Sequence, residues 1–357
     1  RGLGDVYKRQ PRTDDIHADI YAEAYHDIYH FIKGIDPTAR ITNAGLIQIT
    51  PMRVQYLDMM WEAYERKYGV PMPVDIWTIH AYVMPELTVE GEPNNIASAA
   101  LGTDLSLGKR ASGRDASKCD DPDVYCYAEH DDLGLLEEQI VAMRQWMKEH
   151  GQQHKPLIVT EYSTLYHYKV DENGICQGLK DEYGECFTPQ RVSKFMIDTF
   201  DYFNSAIDPD LGMPADNNKL VQQWIWYDAH GWDIGSSNLL NDDKETLNPI
   251  GRTFKNYVLA EPRYVNLTVA SATATVVSYD QNDKADAKLS VKLRNNGNVS
   301  IEKPFTVTFY EDANLKQPIG SVTVPAGIPG CAANVYTANV DWECLRKGNS
   351  QFWVKLD

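Results

Sequence analysis

Residues 155–163 read KPLIVTEYS. Leu157, Ile158 and Val159 lead without a polar break through Thr160 into Glu161. A short continuous apolar run is what a strand covered on both faces carries. Ligand sites of parallel α/β folds lie at the carboxyl ends of such strands, so a glutamate in that place is positioned for chemistry. Two other stretches have the same form. VDIWTIHAYV (74–83) ends in His80 and Tyr82, two residues apart and therefore on one face. LVQQWIWYDAHGW (220–232) carries Trp224 and Trp226 at the same spacing, then His230 and Trp232 in the loop that follows.

Between these strands the sequence is helical. DIYAEAYHDIYHFIKG (19–34) puts Ile20, Ala24, Ile28, Phe31 and Ile32 on one face, and Gly34 ends it. ARITNAGLI (39–47) is expected to be a short strand. A helix from Pro51 to Gly69 follows, then helices over 135–151, 191–206 and 248–260. The order is a helix, then four repeats of strand and helix, which implies a parallel sheet covered by helices. After residue 260 the pattern changes. KLSVKLRNN (288–296), FTVTFYED (305–312) and SVTVPAG (321–327) alternate apolar and polar residues between Asn-Gly and Pro-Ala-Gly turns. That is expected of an antiparallel β-sandwich over residues 262–357, with the boundary at LAEPRYV (259–265).

Composition bounds the function. The chain has 357 residues, 43% of them hydrophobic, with a net charge of −17. Such a charge repels phosphates and anionic lipid, so neither nucleic acid nor a membrane surface is an expected partner. No apolar run is long enough to span a bilayer. The six cysteines fall into close pairs, Cys119/Cys126, Cys176/Cys186 and Cys331/Cys344. Three local disulfides in a secreted or cell-surface protein is the sharper interpretation, and six reduced thiols or a zinc site the alternatives. Zinc finds no CxxC and no histidine at ligand spacing. The loops KCDDPDVYCYAEHDD (118–132) and KVDENGICQGLKDEYGEC (169–186) are acidic enough for calcium, yet match no EF-hand. A solvated loop stapled by a disulfide is the better account of both, and no cofactor is called for.

A carboxylate, an imidazole, a phenol and large aromatics at three successive strand ends form the set that sugars need: carboxylates for the anomeric carbon and aromatics for the C–H faces of the ring. Each residue alone has a plainer account, as loop cap, structural histidine or core tryptophan. His230 and Trp232 equally line a subsite or pack their loop.

At these residues the sequence resembles the retaining clan A glycoside hydrolases, which are (β/α)8 barrels. DIWTIHAY, PLIVTEYS and QWIWYD look like their strands six, seven and eight, and the resemblance covers about residues 13–260. It implies that Glu161 is the nucleophile, that Tyr82 hydrogen-bonds it with His80 alongside, and that Trp224 floors the subsite of the cleaved sugar, with Trp226, Trp232 and His230 as further substrate contacts. The clan's acid/base is a glutamate in an Asn-Glu pair at the end of strand four. YAEAYHDIYHFIKGIDPTARI (21–41) looks like the helix and strand that follow that pair, and no Asn-Glu precedes it. Residues 1–10, RGLGDVYKRQ, back-translate without mismatch to a transposon adapter used in preparing DNA for sequencing. They are expected to be an artefact, standing where strands one to four and the proton donor belong. The expected architecture is thus an adapter (1–10), the C-terminal half of a TIM barrel, strands five to eight (11–260), and a sandwich (262–357). The sandwich is similar to bacterial immunoglobulin-like modules of the cell-adhesion-related type, which serve as spacers or surface-attachment units. Two functions follow. One is an extracellular hydrolase of a β-linked polysaccharide or glycoside, with this chain inactive without its acid. The other is a non-catalytic surface protein that binds glycan and adheres.

Overall fold

The computed structural model describes residues 17–357 except 85, 88–98, 101–129, 167, 179, 182, 232–236, 280–283, 332–334 and 346–349. The chain is mixed α/β and divides into two compact units, residues 1–259 and 260–357.

The first unit alternates helix and strand. Helices α1 (Ala18–Ile35) and α2 (Pro51–Tyr68) precede strand β1 (Trp77–His80). Two short strands, β2 (Glu86–Leu87) and β3 (Ala99–Ala100), pair in parallel. Then come α3 (Leu133–Glu149), β4 (Leu157–Tyr162), α4 (Pro189–Ser205), β5 (Gln223–Trp226) and α5 (Pro249–Ala260). The helix starts are set by local chemistry. Pro51 and Pro189 open α2 and α4, and the side chains of Asp132 and Thr188 accept amide protons from the first turns of α3 and α4. Gly69 ends α2 in the left-handed conformation, φ 71°.

Strands β1, β4 and β5 form a parallel sheet in that order. The stretch 41–47 lies along the free side of β1, but as isolated bridges, Thr42 to Ile76 and Leu46 to Ile79, and not as the strand expected there. The reason is Asn43. Its Oδ1 accepts the Thr78 amide at 2.7 Å and its Nδ2 donates to the Thr78 carbonyl at 2.9 Å, so a side chain replaces a rung of the backbone ladder.

Helix α1 is turned from its expected orientation. Ala18, Ala22 and Tyr25 are buried, while Ile20, Ile28 and Phe31 are exposed. The row that packs on the core is aromatic: half-buried Tyr21, buried Tyr25 and half-buried Tyr29 stack in series, with Tyr21 Oη accepting the Ala44 amide and Tyr25 Oη donating to the Pro73 carbonyl. Tyrosine buries a large ring whenever its hydroxyl finds a partner, and here that outweighs the aliphatic stripe.

The helix-facing side of the sheet holds two aromatic clusters. Trp77 of β1 meets Trp61 of α2 and Trp146 of α3. Trp226 of β5 packs on Tyr162 of β4 and Phe195 and Phe200 of α4, while Trp224 packs on Phe200 and Phe203. Both tryptophans therefore lie in the layer between sheet and helix. Between the clusters sits Arg144 of α3, fully buried, its guanidinium donating to the carbonyls of Leu220 and Lys155 and to Gln222 Oε1. Burial pushes that guanidinium down to about 10.

Among its described residues the second unit has six strands in two antiparallel sheets. One has the order β10 (Tyr336–Leu345), β7 (Ala285–Asn295), β6 (Leu267–Tyr279); the other β11 (Trp353–Leu356), β8 (Phe305–Tyr310), β9 (Pro318–Val324). Alternate residues of β7, Leu289, Val291 and Leu293, share a core with Val307 and Phe309 of β8 and Val324 of β9. The NNGN turn at 295–298 is built around Asn295, fully buried, whose Oδ1 accepts the amides of Asn266 and Gly297 and whose Nδ2 donates to Val299 O.

Cys176 and Cys186 form a disulfide with Cα atoms 6.5 Å apart. Cys119 and Cys126 lie outside the described residues. The third expected pair does not form: Cys331 is exposed with a free thiol. Its amide donates to Gly297 O, beyond the Asn295 end of β7, whereas Cys344 lies on β10 beside Leu345, which pairs with Ala285 at the other end. Eleven residues of β7 separate those ends. At about 3.3 Å per residue that is roughly 30 Å, where a disulfide needs Cα atoms within about 7 Å.

Two outcomes are expected. A peptide map under non-reducing conditions yields Cys176 linked to Cys186 and never Cys331 linked to Cys344; recovery of the latter in native protein would contradict the strand register. Trp226→Ala lowers the stability of the first unit by about 3–5 kcal/mol, read from its denaturation midpoint, whereas Phe31→Ser on exposed α1 stays within about 0.5 kcal/mol. A midpoint unchanged by Trp226→Ala would show that the aromatic layer is not the core described.

Candidate active site

The site begins with an irregularity in β4. In the pairing of β1 with β4, Ile79 is opposite Val159 but His80 is opposite Glu161, so Thr160 is an extra residue. On the other side Val159 is opposite Trp224 and Tyr162 opposite Trp226, three steps along β4 against two along β5. A bulge of this kind turns two consecutive side chains to one face. Burial along β4 follows it: Leu157, Val159 and Tyr162 are fully buried toward the helices, whereas neighbours Thr160 and Glu161 are both partly exposed on the opposite face.

The bulge brings four side chains together. Tyr82 Oη donates to Glu161 Oε1 at 2.5 Å. His80 Nε2 lies 3.8 Å from Glu161 Oε2. Thr160 Oγ1 meets the far side of the same imidazole, 3.2 Å from His80 Nδ1, while donating to Ile79 O at 3.1 Å. Each group is anchored from behind. The His80 amide donates to Leu46 O and the Ala81 amide to Glu161 O. Gln139 of α3 donates to the Tyr82 carbonyl and accepts the Ile49 amide. Gly45 leaves room for the imidazole, since a Cβ there would stand 3.2 Å from His80 Cε1 and 3.1 Å from Thr160 Oγ1.

Tyr82 is buried and the side chains of His80 and Glu161 are each 21% exposed, so the carboxylate is reachable yet largely shielded. One of its oxygens is fixed by a phenol and the other faces an imidazole. A short hydrogen bond to a carboxylate locks its rotamer. Such a group is suited to act as an oriented nucleophile or base.

The structure thus brings Glu161, Tyr82 and His80 together. It does not bring Trp224 or Trp226 to them, because both share the helix-facing side with Val159 and Tyr162. Their place as sugar platforms is corrected accordingly. Trp232 lies outside the described residues. His230 stands on the loop after β5 with Asp228, a residue that sequence reasoning passed over. Asp228 Oδ1 and His230 Nε2 are buried and find no hydrogen-bond partner among the described residues. Burial pushes the Asp228 carboxyl upward, against the Gly231 amide and the nearby imidazole. Its position just past a strand end was the available signal. Thr160 was also missed, because alternation alone assigns it to the face opposite Glu161.

No family model matches the chain. No curated protein matches it. Among solved structures, an endo-β-1,3-glucanase of family GH128, subgroup II, from Sorangium cellulosum aligns at 14% identity and a TM-score of 0.33, over 68% of this chain and 63% of that one. An engineered protein aligns at 12% identity and a TM-score of 0.27, over 95% of this chain and 59% of that one. β-Glucosidase 3B from Thermotoga neapolitana, in complex with glucose, aligns at 12% identity and a TM-score of 0.16, over 90% of this chain and 38% of that one. The chain spans less than two thirds of the length of each of these structures. The weak structural neighbours thus include glycoside hydrolases.

Proposed function

We propose that this chain carries the nucleophile of a retaining glycoside hydrolase acting on a β-linked polysaccharide or glycoside. The observation that supports it most is the Tyr82 hydroxyl on Glu161 Oε1, with His80 on the other oxygen, at the carboxyl end of parallel strands. In this mechanism a Glu161 oxygen attacks the anomeric carbon and forms a glycosyl ester, and the leaving alkoxide takes a proton from an acid. Water, deprotonated by the same residue, then breaks the ester. Tyr82 holds one carboxylate oxygen so that the other is aimed, and His80 supplies polarity beside the reacting atom.

The parallel order of segment 41–47, β1, β4 and β5 agrees with strands five to eight of a (β/α)8 barrel. The resemblance above gives the proton donor of such enzymes as a second glutamate, in an Asn-Glu pair. Retaining hydrolysis sets its carboxyl about 5–5.5 Å from the nucleophile. The second unit fits an immunoglobulin-like sandwich serving as spacer or attachment unit. The Cys176–Cys186 bridge agrees with a secreted or cell-surface location, and no helix among the described residues is long and apolar enough to cross a membrane.

An activated leaving group needs no acid, so the nucleophile is testable by itself. Incubated with a panel of dinitrophenyl 2-deoxy-2-fluoro-β-glycosides, the protein is expected to gain the mass of one fluorosugar on the peptide containing Glu161. Glu161→Gln takes no label, and Tyr82→Phe labels about 10- to 100-fold more slowly, as befits loss of one hydrogen bond to a charged group. Label on another residue would remove Glu161 as nucleophile. Retained sugar binding with no label from any member of the panel would establish the non-catalytic glycan binder instead.

A further inference from the structure

Strand β6 ends its sheet. Among the described residues it pairs with β7 on one side and with no strand on the other. It runs for 13 residues, roughly 40 Å of backbone edge. Natural proteins blunt so long an edge with lysine, proline or other charge. Here no residue from Tyr264 to Tyr279 is charged or is proline, in a chain 24% charged.

The two faces of β6 are sorted by its pairing. Register shifts between Val269 and Ser271 and between Val276 and Ser278 leave Ala270 and Val277 as extra residues. Thr268, Ser271, Thr273, Thr275 and Ser278 then stand opposite Arg294, Lys292, Ser290, Lys288 and Asp286, on the solvent face of β7. Val269, Ala272, Ala274, Val276 and Tyr279 stand opposite Leu293, Val291, Leu289, Ala287 and Ala285, on its core face. Leu289, Val291 and Leu293 are fully buried, yet Val269 is 45%, Val276 48% and Tyr279 75% exposed. The facing sheet stops short of them. Gly320 of β9 packs on Val340 of β10, and Val307 and Phe309 of β8 share the core of β7. Toward β6 that sheet offers only β11, which has 4 residues.

We propose that the free edge of β6 binds the same edge of a second copy of this chain, antiparallel, about a two-fold axis through Thr273. What selects a second copy is the symmetry of the strand. Reading outward from Thr273, the residues at equal distance are Ala272 and Ala274, Ser271 and Thr275, Ala270 and Val276, Val269 and Val277, Thr268 and Ser278, and Leu267 and Tyr279. Every pair matches in kind, small with small, hydroxyl with hydroxyl, apolar with apolar. An isologous contact requires this, because each residue meets the other member of its pair twice. The register against β7 is unbroken over Ser271–Val276, so the stretch around the axis is regular enough to carry a ladder. Neutral edges meet without repulsion although the chain as a whole carries −17. Joining two copies continues one sheet through both sandwiches and brings the uncovered Val269 and Val276 side chains of the two copies onto one face.

Sedimentation equilibrium of the whole protein from about 1 to 100 μM is expected to show the mass rising toward twice that of the chain, as suits an interface of modest size. Thr273→Lys places two like charges opposite each other on the axis and weakens the dimer about 10-fold or more. Thr273 is on the exposed face, so the denaturation midpoint of the second unit is expected to stay at the wild-type value. The register is read by crosslinking in a Cys331→Ser background. Under mild oxidation Thr273→Cys joins two copies at the substituted position, confirmed by peptide mapping. Thr268→Cys, on the same face but roughly 30 Å from its own counterpart, does not. A monomer at every concentration overturns the proposal and leaves the edge to an extended segment of a different protein. A dimer unaffected by Thr273→Lys, or crosslinking as efficient from Thr268→Cys as from Thr273→Cys, overturns it equally.

Discussion

Everything at the candidate site depends on the extra residue in β4. A strand alternates strictly, so one inserted residue reverses the face of all that follow. Tyr162 must stay outward, because its hydroxyl meets Thr199 of α4 and its ring packs on Phe203 and Trp226. Val159 must also stay outward, since it is fully buried. Two residues separate them where alternation allows one. The bulge resolves the conflict by giving Thr160 and Glu161 the same face. Without it either the Tyr162 ring or the Glu161 carboxylate would change sides, and a carboxylate among Phe203, Trp226 and Val159 would be a buried charge with no partner. Packing of the helical layer thus fixes where the carboxylate points.

The layer behind the sheet is suited to that role because it is rigid and satisfied. Trp77, Trp146, Tyr162 and Phe203 are almost completely buried and meet at edge-to-face angles. Arg144 is a charged group in the same layer, yet its donors reach Leu220, Lys155 and Gln222, and Gln222 also accepts the Leu157 amide. One side chain of α3 therefore ties the starts of β4 and β5 together. Gln139, nearer the start of α3, joins the residues that follow β1 to those that follow segment 41–47, through Tyr82 and Ile49. The helix acts as a ruler against which both ends of the sheet are set, which is how the gap between Tyr82 Oη and Glu161 stays within hydrogen-bond reach.

What was legible in the sequence is what obeys local parity. The apolar run ending in Glu161 and the His80, Tyr82 pair both keep their order, so their meeting at one strand end could be read directly. Trp224 and Trp226 are correctly placed on one face by their spacing, but which face is decided by pairing across the bulge, a long-range fact invisible in either strand alone. The error on α1 has another origin. Counting aliphatic residues as core and tyrosines as surface misses that Tyr21 and Tyr25 have partners for their hydroxyls on Ala44 and Pro73. Pairing cysteines by proximity worked at Cys176 and Cys186, inside one loop, and failed at Cys331 and Cys344, where a strand intervenes and proximity in sequence is lost along its length.

The segment after β4 shows why stability and site geometry are separate demands on one stretch of chain. A bridge across ten residues removes unfolded-state entropy worth roughly 3 kcal/mol in the chain-entropy picture. The Asx turns at Asp171 and Asp181 and the ion pairs of Arg191 with Asp131 and Asp181 already fix most of those residues, so little of that freedom remains to be removed locally. What the covalent link adds is a fixed relation between two turns that have no hydrophobic core of their own: Ile175 and Tyr183 remain exposed although each turn is ordered. Apolar side chains held outward at the tips of ordered turns cost the fold the burial they forgo. The fold tolerates this where the next residues, Phe187 and Arg191, return the chain to the core.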